Sequence, residues 1–102
     1  MLKFLLPLAL LTTSFSSAFA APADVCKALK SMVAESLVPT CKDAADVAAG
    51  PKAEFDGAVT YLAKECGEAE FSQMLAQALV YKTVHLNESC LAVATVLLGE
   101  AK

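Results

Sequence analysis

Asn87-Glu88-Ser89-Cys90-Leu91-Ala92-Val93-Ala94-Thr95-Val96-Leu97-Leu98 is the most apolar run in the chain after its leader, and it reads as a helix. Asn87 is a strong N-cap residue, because its side-chain oxygen can accept a bond from an N–H group left over in a first helical turn. The residues behind it are apolar on nearly every side of a 3.6-residue repeat, whereas a surface helix keeps a polar face. Such a helix must be covered by neighbours, so a bundle wrapped around residues 87–98 is expected. Gly99 loosens its end, and Glu100, Ala101 and Lys102 are expected to fray.

The preceding segments supply those neighbours. Residues 68–84 carry Phe71, Met74, Leu75, Ala78 and Leu79 at helical spacing. Glu68 and Glu70 open that segment, and Lys82 and His85 lie near its end, the charge order that the helix dipole favours. Residues 51–66 place Phe55, Val59, Leu62 and Cys66 on one stripe. Gly57 sits inside this helix at a cost of about 1 kcal/mol against alanine, and a close helix contact there is the expected reason. Gly67 closes the helix. Thr40 is the expected N-cap of a short helix over residues 41–49, which Gly50-Pro51 ends. Residues 22–37 bring Val25, Cys26, Leu29, Met32, Val33 and Leu37 to one face. Pro22 and Asp24 suit the start of that helix, and Pro39 is expected to stop it by disfavouring helical geometry at Val38. No segment shows strand alternation or an internal repeat. The expected fold class is all-α: a small disulfide-stapled bundle of four main helices plus one short helix.

The first residues read as a signal peptide. Lys3 supplies the positive start, Phe4 to Leu11 the apolar stretch, and Ala18-Phe19-Ala20 a small-x-small cleavage site. That stretch is too short to span a bilayer, which needs about 20 apolar residues. Residues 1–20 are therefore expected to be a signal peptide and residues 21–102 a single secreted, extracellular domain. All eight basic residues are lysines, against eleven acids, and the chain carries a formal charge of −3. Nucleic-acid binding calls for a basic surface and arginine forks, and an anionic membrane surface attracts the same sign of charge. Neither kind of partner is expected, and no second segment is long and apolar enough for a stable membrane span. A domain this small buries too little surface to be secure without covalent staples.

Cys26, Cys41, Cys66 and Cys90 supply such staples, since an even number of cysteines in a short exported chain implies disulfides. Three connectivities are possible. Cys26 and Cys41 flank one helix and Cys66 and Cys90 another, at separations of roughly 17 and 25 Å from the rise per residue. A bridge needs Cα atoms within about 7 Å, which removes that pairing. The other two depend on residues 41–49. A segment that only crosses the end of the bundle pairs Cys26 with Cys66 and Cys41 with Cys90. A segment that runs back as a full helix pairs Cys26 with Cys90 and Cys41 with Cys66. The shortness of the segment favours the first arrangement.

Chemistry-bearing residues are sparse. His85 is the one histidine, and its helical neighbours Tyr81 and Lys82 complete no nucleophilic triad. Glu65, Glu68 and Glu70 crowd around Gly67 but follow no calcium-loop spacing. Singly spread cysteines and a lone histidine do not suit zinc. No phosphate loop, nucleophile elbow, zincin motif or dinucleotide fingerprint occurs, so no enzyme and no cofactor are expected. Asn87-Glu88-Ser89 is a possible N-glycosylation acceptor, in competition with a capping role for Asn87 and beside a bridged Cys90.

The expected function is that of a small secreted interaction protein, of effector, toxin or signalling type, acting through its surface on another protein. A carrier or sequestering protein for a small apolar ligand such as a lipid or sterol is the alternative. Met32, Met74, Leu75, Leu79 and the 87–98 helix would line its pocket, although the same residues serve equally to fill a core. Membrane disruption would use a cationic amphipathic face, which an acidic chain lacks. Intact-mass measurement of the secreted protein is expected to give a chain starting at Ala21, about 4 Da lighter than its reduced form because two disulfides remove four hydrogens.

Overall fold

Alanine-rich, amphipathic segments fold here into four α-helices joined by short connections. The structure is a computed structural model that describes residues 22–101, so the expected signal peptide lies outside the described residues. The helices are α1 (Ala23–Lys42), α2 (Ala49–Glu65), α3 (Ala69–Thr83) and α4 (Asn87–Glu100). No strand occurs among the described residues. Consecutive helices run antiparallel, and each packs on the next around a ring: α1 on α4, α4 on α3, and α3 on α2. The ring closes only loosely between α2 and α1.

The core is built from one stripe of each helix. Val33, Ala34 and Leu37 come from α1, Phe55, Ala58 and Leu62 from α2, Phe71, Leu75, Ala78 and Leu79 from α3, and Ala94 and Leu97 from α4. Ala34, Ala78 and Ala94 are fully buried. Their small side chains let the helix axes approach closely without losing helix propensity. Two disulfides clamp the ends. Cys26 bonds Cys66 (Cα–Cα 5.7 Å) and joins the start of α1 to the residue that caps the end of α2. Cys41 bonds Cys90 (Cα–Cα 5.4 Å) and joins the end of α1 to the start of α4.

The expected short helix over residues 41–49 does not form. Cys41 and Lys42 are instead the last residues of α1, and Asp43 to Ala48 cross the end of the bundle without helical structure. Thr40 is accordingly no N-cap, and its hydroxyl donates back to the Ser36 carbonyl (3.0 Å). Pro39 does not stop α1 either. Proline removes one N–H, but Glu35, whose carbonyl loses that bond, is exposed to water. The helix resumes at once, with the Asp43 N–H donating to the Pro39 carbonyl (3.0 Å). Burial of Cys41 and its bridge to Cys90 supply the reason to keep the last turn helical.

Three expectations about packing also change. α4 is not wrapped on all sides: α1 and α3 cover one face, while Ala92, Thr95, Val96 and Gly99 are exposed. Ala101 does not fray; it is buried, its N–H donates to the Leu97 carbonyl, and its carbonyl accepts the Ser31 hydroxyl (3.3 Å) from α1. Gly57 makes no close helix contact, since a Cβ placed there meets nothing within 4 Å.

Fully buried Ala94 sits where α1 and α3 both press on α4. Ala94→Leu adds three carbons to a filled layer and is expected to lower stability by about 1–3 kcal/mol. Urea unfolding of the oxidised protein checks this, with an equal substitution at exposed Ala92 as the control.

Candidate functional site

The face where α1 and α2 meet keeps three large apolar or aromatic side chains in solvent. Val25 and Met32 of α1 are 46% and 63% exposed, and Tyr61 of α2 is 37% exposed. Their helical spacing places Val25 and Met32 on the inner face, but α2 does not cover them. On the side that faces α1, α2 presents Gly57 and Ala58, which have too little bulk to fill the gap. The result is an open trough of about 500 Å³ over Val25, Ala28, Leu29, Met32, Gly57, Ala58 and Tyr61. It continues into a tighter end of about 190 Å³ between Met32, Val33, Ser36, Glu54 and Phe55. Glu54 is the charged side chain common to both parts. The Cys26–Cys66 bridge holds the two helices together at the Val25 end.

A second apolar patch is smaller and interrupted. Val80, Val84 and Leu86 are about half exposed around the end of α3. The hollow beside them, about 260 Å³, is flanked by Lys52 and Asp56, which form an ion pair at 2.9 Å across its edge.

The residues that carry chemistry do not converge. His85 takes a left-handed backbone (φ 65°) just after α3. Its N–H donates to the Lys82 carbonyl, and the Leu86 N–H donates to the Tyr81 carbonyl, the paired bonds that close a helix with a residue in this conformation. Its exposed ring stands 3.6 Å from the Asp46 carboxylate. His85 is therefore a helix-ending residue where glycine would be the usual choice. Glu68 reaches Lys30 of α1 at 3.1 Å, and the same ammonium lies 5.4 Å from the centre of the Phe71 ring. Among the described residues no three His, Cys, Asp or Glu side chains gather closely enough to hold a metal ion.

Asn87 is not the N-cap of α4. Leu86 holds that position, and Asn87 is the first helical residue. Its side-chain NH2 donates to the Asp43 carbonyl (3.0 Å) in the segment that crosses the bundle end. The side chain thus donates to a tertiary acceptor, the oxygen that a cap would use makes no hydrogen bond, and the nitrogen that a glycan would use is engaged.

Two buried polar residues escaped the sequence reading. Lys82, 2% exposed, donates its ammonium to the same Asp43 carbonyl. Ser72, also 2% exposed, donates its hydroxyl to the Val59 carbonyl of α2 (2.7 Å). The periodicity held the clue to both: Lys82 continues the stripe Phe71, Leu75, Ala78, and Ser72 lies three and seven residues before Leu75 and Leu79. Lys82 and Asn87 together satisfy a carbonyl at the negative end of α1 and pin the 43–48 crossing onto α3 and α4.

No family model matches the chain, and no curated protein or solved structure gives a significant match.

Gly57 is exposed, lies inside α2 and has open space where a side chain would go. Gly57→Ala is expected to stabilise the fold by about 1 kcal/mol through reduced backbone freedom in the unfolded chain. A rise in the urea midpoint with unchanged slope checks this, and a loss of stability would mean that α2 does approach α1 at Gly57.

Proposed function

We propose that the chain is a small secreted, non-enzymatic interaction protein that acts on another protein through the α1–α2 groove. The observation that carries this reading is the placement of Val25, Met32 and Tyr61. Val25 and Met32 sit on the apolar stripe of α1 and Tyr61 stands beside that of α2, and all three stay in solvent while Phe71, Leu75, Ala78 and Leu79 of α3 and Ala94 and Leu97 of α4 are packed. Exposed apolar side chains lining one continuous groove are the usual mark of a docking surface. The core beneath is filled by alanine, leucine and phenylalanine, so the groove is a property of the surface. Export accords with two disulfides and with the absence of any membrane-crossing helix among the described residues.

A carrier of a small apolar ligand is the second reading, favoured by the tighter end of the groove beside Phe55. Its volume of about 190 Å³ falls below the 300–1,000 Å³ typical of ligand pockets, and the adjoining trough is open to water. The residues this reading relied on are divided: Met32 is exposed, whereas Leu75 and Leu79 are core.

Native mass spectrometry of the protein taken from culture medium separates the two. A protein mass without adduct is expected. A companion of a few hundred daltons that is lost on denaturation would replace the interaction reading with the carrier one.

A further inference from the structure

We propose that the occupant of the α1–α2 groove is a cationic amphipathic helix of the partner protein, about three turns long. This rests on the reading of that groove as a docking surface and adds the chemistry of its occupant.

Shape comes first. Val25 to Ser36 mark the length of the groove along α1, roughly 17 Å at the helical rise. That is the length of a three-turn helix. Ala28, Gly57 and Ala58 form a floor of small side chains over which another backbone can lie closely. Met32 stands beside it as an unbranched side chain able to reshape around an incoming residue. A helix seated this way would present apolar residues at i, i+3 or i+4, and i+7.

Charge then selects among helices. Glu54 lines the groove itself, and helical spacing puts Asp24 and Glu35 of α1 and Glu65 of α2 along its edges. None of these four carboxylates has an ion-pair partner among the described residues. Two lysines of the same helices are already occupied, Lys30 by Glu68 and Lys52 by Asp56. Lys27 points to the far side of α1 by its spacing, which leaves Lys64 near the groove edge and Lys42 two turns beyond Glu35, past the Ser36 end of the groove. The apolar trough is thus bordered by carboxylates in excess, and lysines or arginines flanking an apolar stripe complement it. A second copy of this chain would bring the same carboxylates against one another, and an anionic bilayer would be repelled in the same way.

Two synthetic peptides of about 14 residues serve as probes, long enough for three full turns and frayed ends. Both carry leucine along one face; one has lysine on the flanks and its twin has glutamate. Titration calorimetry on the intact oxidised protein compares wild type, Glu35→Lys with Glu54→Lys, and Met32→Gln. All three changes lie at exposed positions, and circular dichroism confirms that the helices persist. The lysine peptide is expected to bind, to weaken with added salt, and to bind roughly tenfold less well when both glutamates are reversed. Met32→Gln is expected to weaken it further without altering its salt dependence. Equal binding of both peptides, with loss in Met32→Gln, would overturn the charge selection and leave the docking reading standing. Lysine-peptide binding that ignores all three substitutions would overturn the site, as would no binding at all. Wild-type self-association that Met32→Gln removes would replace the helix with a second copy.

Discussion

α1 is covalently clamped at both ends, and the rest of the molecule is arranged by those clamps. Cys26 ties its start to the end of α2, and Cys41 ties its end to the start of α4. Each bridge closes a loop of forty residues or more, 40 in one case and 49 in the other. Long closed loops remove much freedom from the unfolded chain, at about 2–4 kcal/mol apiece. A domain of this size rests on only a few kcal/mol, so the bridges are comparable to its whole stability. They also fix which helices are neighbours, leaving alanine faces and single leucines to complete the packing between them.

The two clamps act on different kinds of contact. Cys41–Cys90 lies fully buried where α1 and α4 pack along their lengths, so it reinforces an interface that apolar burial already favours. Cys26–Cys66 joins α1 to α2, which touch little elsewhere. A weakly packed pair of helices would ordinarily separate or collapse further. Held at one end by a bond and at the other by the 43–48 crossing, this pair keeps a groove between them. That is how Met32 and Val25 remain in water on the apolar stripe of α1.

The crossing itself depends on buried polar groups. Asp43 ends α1, and its carbonyl receives both the Lys82 ammonium and the Asn87 amide. A buried ammonium is tolerated because that carbonyl lies at the negative end of a helix and accepts it directly. The same bonds explain why no short helix follows Cys41: the chain is held extended at Asp43 (φ −68°, ψ 139°), and the Asp43 carboxylate accepts the Ala45 N–H at 3.0 Å. With no helix there, α2 runs back antiparallel to α1, and Cys66 returns beside Cys26.

Periodicity, cysteine spacing and helix geometry established the all-α class and the four main helices. They did so because helix formation and amphipathic burial are local, repeating properties that a linear chain displays. They also ruled out one disulfide pairing on length alone. Tertiary structure decided everything that depended on which face meets which neighbour. It carried α1 past Pro39 because burial of Cys41 outweighs one missing hydrogen bond, and it took Asn87 from a cap to a tertiary contact because Asp43 offered an acceptor. It placed Lys82 inside and Met32 outside, against their usual preferences. Periodicity marks the face of a helix but does not say whether another element arrives to cover it, and here α2 arrives with a glycine and an alanine. The groove exists only in that mismatch between two helices, and neither helix announces it alone.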